Sequence, residues 1–204
     1  MKRVFFSLAI ALSGVGAQAQ TEATAPAPTP VALSVVARLP EVDKSPLDMC
    51  YYPANYPVLK IQDKATEPLV ARVIYSRPMA NNRAVFGELV EWNKVWRLGA
   101  NEATELELYR DVKIGGKKII KGKYTIYAIP STDAWTLILN KDTDTWGAFK
   151  YDDKKDVVRV QVPVKKTGAP VNAFSMMFEK GSNDTILLDI AWENAMVALP
   201  IALK

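Results

Sequence analysis

From residue 69 onward the chain alternates apolar and polar positions with a period of two, the repeat of strands whose successive side chains face opposite ways. Leu69-Val70-Ala71-Arg72-Val73-Ile74-Tyr75-Ser76 is the first such run and ends at Arg77-Pro78. Thr104-Glu105-Leu106-Glu107-Leu108-Tyr109 alternates strictly. Runs at 112–114 and 117–120 flank Gly115-Gly116, and a two-glycine turn suits the primed hairpin types. Lys121-Gly122-Lys123 turns the chain into 124–129, which Pro130 stops; Ser131-Thr132-Asp133 turns it again into 135–140. Further strand patterns cover 157–162, 174–178, 185–192 and 197–203. At 85–92 the spacing differs, and apolar residues at 85, 86, 89, 90 and 92 predict one short helical turn. About ten short strands with frequent turns predict a mostly β, single-domain antiparallel β-sandwich of Greek-key or jelly-roll type, with a closed β-barrel as the alternative.

Ahead of residue 69 the alternation breaks down. Met1-Lys2-Arg3 leads into an apolar run over 4–15 and then small residues ending in Ala17-Gln18-Ala19. That is the layout of a secretory signal peptide over 1–19, with cleavage expected before Gln20. Its apolar run of about a dozen residues falls short of the roughly 20 that a membrane-spanning helix needs. Residues 20–44 read as an Ala/Pro-rich leader: prolines 26, 28 and 30 favour an extended tether, and 31–37 is a candidate first strand. The β-domain is expected over 45–204. Within it, 45–57 is turn-rich, and tyrosines 51, 52 and 56 are expected to cap one end of the core. The expected location is exported, periplasmic or secreted, in a bacterial cell envelope, with no membrane span.

Composition narrows the chemistry. The chain has no histidine, so the commonest neutral-pH base and the commonest metal ligand are missing, and His-dependent triads and zinc sites are excluded. Cys50 is the single cysteine, which rules out an internal disulfide; it reads as a small buried hydrophobe without a basic neighbour to activate it. There are 26 basic and 22 acidic residues. Removing Lys2 and Arg3 with the signal leaves 24 against 22, and the lysines fall in small groups beside turns, which argues against nucleic-acid binding. No cofactor and no metal is expected. Asn140-Lys141-Asp142-Thr143-Asp144-Thr145 spaces oxygen ligands like a calcium loop, but Thr145 stands where glycine is needed and Tyr151 where the bidentate Glu belongs.

The densest polar cluster is Val95-Trp96-Arg97-Leu98-Gly99-Ala100-Asn101-Glu102-Ala103-Thr104-Glu105. Arg77, Arg97, Asn101 and Glu102 are candidate ligand-binding residues, with Trp96 and Trp146 as aromatic walls. A guanidinium offers a planar fork to carboxylates, while Asn and Glu read hydroxyls. The competing reading pairs Arg97 with Glu102 or another carboxylate as a buried knot that fixes the sheet. Trp135 and Trp192 lie in strand patterns and are assigned to the core. No catalytic residue is assigned. A carboxylate pair for glycoside hydrolysis can be nominated, Glu102 with Asp152, but its separation decides the mechanism and is not in the sequence.

Tyr75-Ser76-Arg77-Pro78, Phe86-Gly87-Glu88-Leu89-Val90, the run from Val95 to Thr104, Gly122-Lys123-Tyr124-Thr125-Ile126-Tyr127-Ala128-Ile129-Pro130 and Ala191-Trp192-Glu193 follow one another in an order that resembles domain-of-unknown-function family 2911. The resemblance covers roughly 45–203. It implies an exported bacterial β-domain of the Bacteroidetes type, with no agreed activity and no catalytic residues to carry over. Three functional readings remain. The first is an exported β-sandwich that binds a small polar ligand, a glycan or a protein partner. The second is a histidine-free, carboxylate-dependent glycan hydrolase, and the third a structural or interaction module whose Arg/Asn/Glu cluster is internal.

Overall fold

Period-two burial organises the strands into two antiparallel sheets in the computed structural model, which describes residues 39–203. The signal peptide, most of the leader and the candidate strand at 31–37 lie outside the described residues. From Val42 on, the chain forms one compact unit. Its strands are β1 (Leu47–Tyr52), β2 (Ala71–Ser76), β3 (Glu105–Leu108), β4 (Val112–Ile114), β5 (Lys117–Ile119), β6 (Gly122–Ile129), β7 (Ala134–Asn140), β8 (Asp156–Pro163), β9 (Lys165–Lys180) and β10 (Thr185–Ala202). One sheet runs β1-β2-β3-β6-β7-β8 and the other β5-β4-β10-β9. The protein is a mostly β sandwich, not a closed barrel. Between β3 and β6 the chain leaves the first sheet, makes the β4–β5 hairpin in the second, and returns to pair β6 with β3.

Alternate residues of each strand supply the core. Val73 and Tyr75 of β2, Leu106 and Leu108 of β3, and Trp135, Leu137 and Leu139 of β7 are buried from one sheet. Phe174 and Met176 of β9 with Ile186, Leu188, Ile190 and Trp192 of β10 come from the other, and all belong to one apolar cluster. At about 25 cal/mol per Å² of apolar surface removed from water, this interior is the main favourable term in folding. Gly115 and Gly116 take φ of 58° and 75°, the positive values a two-residue primed turn requires.

The structure departs from the sequence pattern in four places. Residues 47–52, expected as a turn-rich cap, form the edge strand β1, bracketed by Pro46 and Pro53. The helix is not at 85–92. There Gly87 has φ 98°, incompatible with a helix, and the segment closes on itself as a tight turn through Gly87 N–H to Val90 O (2.8 Å) and Val90 N–H to Val85 O (2.9 Å). Its apolar spacing reflects core contacts of Val85 and Val90 instead. The short helix is α1 (Tyr56–Ile61), with Pro57 in its first turn, where a missing N–H costs nothing. Finally, 185–192 and 197–203 are one strand, β10, and β9 reaches back to Lys165; register shifts around Glu193 accommodate Gly168 and Pro170 in irregular pairing.

Candidate functional site

The run from Trp96 to Thr104 is a closed loop stitched to β6 at both ends. Trp96 exchanges backbone hydrogen bonds with Ala128 (2.7 and 2.9 Å), Thr104 N–H donates to Arg97 O (3.1 Å), and Ile126 N–H donates to Thr104 O (2.8 Å). Inside it, the Thr104 hydroxyl donates to Leu98 O (2.5 Å) and Trp96 Nε1 donates to Gly99 O (3.1 Å). Leu98, not Gly99, makes the left-handed turn, at φ 56°, and its side chain is fully buried. Side chains alternate through the loop: Trp96 inward, Arg97 outward, Leu98 inward. Trp96 is therefore a core residue, 7% exposed, stacked on Trp192 (5.9 Å, 18°) and edge-on to Trp135 and Phe174.

Arg97 faces a cleft of about 280 Å³ shared with Leu89, Glu91, Lys94, Val95 and Phe149. Val95 and Ala148 belong to a small apolar cluster with Ala103, Tyr127 and Ile138 on the outer face of β6 and β7, so this cleft sits on loops laid over the sheet. The guanidinium is half-buried. No carboxylate pairs with it among the described residues, and its Nε is buried without an acceptor. Burial accordingly pulls its pKa below the usual arginine value. The sequence alternative in which Arg97 pairs with Glu102 is not what the structure contains.

The other candidates lie elsewhere. Arg77 is fully engaged, donating to Asp48 Oδ2 (3.0 Å), Phe174 O (3.1 Å) and Ser175 Oγ (3.0 Å), and ties β1 to β9. Asn101, at φ 55°, donates through Nδ2 to Asp43 Oδ1 (2.9 Å). Glu102 forms an isolated bridge with Trp146 and lines a smaller cleft with Leu47, Glu105 and Asp144, an acidic setting. Trp146 is 62% exposed. Asp152, nominated as a partner for Glu102, caps a 3-10 turn by accepting from Lys154 N–H (3.0 Å). So the guanidinium, carboxamide and acid groups of the bend are dispersed, and Arg97 alone of them faces the cleft described above.

Two further sequence features find their place. Asp142 and Asp144 each hold a lysine, Lys155 at 3.0 Å and Lys123 at 2.6 Å, so the calcium-like spacing serves surface ion pairs. Cys50 packs against the core, and its thiol is pushed up to about 12 by burial and, secondarily, by the Asp48 charge. A thiol held protonated in this way is a poor nucleophile.

A family model described as "Protein of unknown function (DUF2911)" matches residues 59–201. The chain belongs to the DUF2911 family. No curated protein and no solved structure matches it. The match to DUF2911 spans the Arg97 loop and every strand from β2 to β9, with most of β10. Sequence reasoning overlooked Lys94 and Phe149 as companions of Arg97. Their signal was weak: Phe149, 83% exposed, is an aromatic stranded between Gly147 and Lys150, outside any strand pattern.

Proposed function

We propose that this DUF2911 chain is an exported binding protein of the cell envelope, periplasmic or secreted, whose Arg97 cleft takes a small carboxylate with an apolar body. The observation that carries the reading is a half-buried guanidinium without an acidic partner. Withdrawing such a group from water is costly unless it is paired. A ligand carboxylate supplies that pairing, and the planar fork of arginine favours it in a bidentate arrangement. Lys94 adds a second positive charge, and Glu91 offsets one of the two. Phe149 and Leu89, both exposed, offer apolar contact for the rest of the molecule. The compartment rests on the N-terminal pattern over 1–19.

Isothermal titration of the mature protein against a panel of aliphatic and aromatic monocarboxylates tests this. A hit should weaken about tenfold or more in Arg97→Ala, the scale of a lost charge-assisted hydrogen bond, and less in Arg97→Lys, which keeps the charge but loses the fork. Equal binding by wild type and Arg97→Ala, or no binding across the panel, defeats the assignment.

A further inference from the structure

The turn at 85–92 contributes to a second cleft, of about 510 Å³, well within the size range of small-molecule sites. Leu89, Val90 and Glu91 line the Arg97 cleft, whereas Phe86 and Trp92 line this one. Trp92 is 36% exposed and stacks on Phe86 (5.6 Å, 29°), which is itself packed against the core. Gly87 lets the indole settle: a Cβ there would stand 2.7 Å from Trp92 Nε1. The indole N–H has no acceptor among the described residues. Trp92 thus presents a fixed, partly open aromatic surface whose polar edge is unused.

Around it the cleft gathers hydrogen-bonding groups from three separate segments. Glu193 sits on β10 at φ 53°, with register shifts on both sides, a bulge that takes it out of the regular ladder. One carboxylate oxygen, Oε2, accepts from the backbone N–H of Val85 (3.2 Å) and Phe86 (3.4 Å), and so ties the bulge to the turn that carries Trp92. Its Oε1 has no protein donor among the described residues. Asp133, on the β6–β7 turn, is exposed, and its carboxylate is unpaired among the described residues. Asn194 adds an amide that both donates and accepts, and Lys166 one positive charge.

We infer that this cleft binds a neutral saccharide, with the C–H face of a pyranose on Trp92 and ring hydroxyls donating to Asp133 and Glu193. An aromatic platform with convergent acceptors matches a ring that is apolar on its faces and polar at its rim. Two carboxylates against one lysine disfavour an acidic sugar. This site is independent of the Arg97 cleft and shares none of its lining residues.

Saturation-transfer NMR on the full chain, with methyl β-glucopyranoside, N-acetylglucosamine and glucuronate as probes, tests the inference. Transfer to ring C–H protons of at least one neutral sugar is expected, stronger than to glucuronate. Trp92→Ala and Asp133→Asn should each lower it at least fivefold, Trp92→Phe should retain most of it, and Arg97→Ala should leave it unchanged. Near-UV circular dichroism checks the fold of each variant; should Trp92→Ala unfold, Asp133→Asn at its exposed position decides. No transfer to either neutral sugar, stronger transfer to glucuronate, or undiminished transfer in a folded Trp92→Ala or in Asp133→Asn overturns the site.

Discussion

Trp96 and Arg97 are neighbours in sequence with opposite surroundings, one packed among four aromatic rings and the other turned toward a cleft without a counter-charge. An unpaired guanidinium kept partly out of water is a cost the fold carries, and costs of this kind are found where a ligand is to be met. Arg97→Met, similar in length and free of charge, should therefore stabilise the protein by up to about 1 kcal/mol, a rise in Tm of roughly 2–4 °C for a chain of this size. Thermal unfolding followed by circular dichroism checks it. A clear loss of stability would mean that Arg97 holds the loop through contacts of its own. The alternation Trp96 in, Arg97 out, Leu98 in was not read from the sequence, which placed Trp96 beside Arg97 as a wall of the site; the structure turns the indole into the core instead. Nor was the missing partner legible, because an acid five residues away looks available until the loop turns it elsewhere.

At the level of elements, burial and charge meet in β10. Asp189 is only 4% exposed and lies beside Glu179 of β9, so burial first, and that second carboxylate next, raise its pKa above the ordinary 3.8; Lys165 opposes them. A carboxyl whose pKa is raised by folding favours the native state while protonated. That contribution is complete below the unfolded pKa and is lost as pH climbs through the folded value. Asp189→Asn should consequently be more stable than wild type at pH 7, with the advantage vanishing near pH 3, where wild-type Asp189 is also neutral. Urea denaturation at several pH values reads the difference, and a constant gap across the range would contradict it. The strands β2 and β3 were predictable because burial alternates along them, whereas β6 and β7, buried on both faces over 125–128 and 137–140, were marked by their apolar β-branched and aromatic runs between turns. Segment 85–92 misled because three-to-four spacing marks residues on one side of any compact curl. Only the backbone at Gly87, φ 98°, distinguishes a turn from a helix.

On the scale of the whole molecule, two sheets close over an aromatic interior in which Phe86, Trp96, Trp135, Phe174 and Trp192 touch edge to face or stack. Segments distant in sequence then meet: the turn at 85–92, between β2 and β3, and the β10 bulge at Glu193, about 100 residues later, line one cleft together. The N-terminal signal layout predicts that protein recovered from the periplasm of a Gram-negative host begins at Gln20. Intact-mass measurement on that fraction would show it, and retention of Met1 in a cytoplasmic fraction would refute export. By itself the sequence determined the fold class, the Gly-Gly hairpin and the exclusion of histidine chemistry, because alternation, turn preferences and residue inventory are local properties. Which polar side chains share a cleft was decided only by the tertiary structure, since it depends on where loops distant in sequence come to rest on the two sheets. For that reason Arg97 kept company with Phe149 instead of Glu102, and Trp92, unremarked among five tryptophans, came to face Glu193.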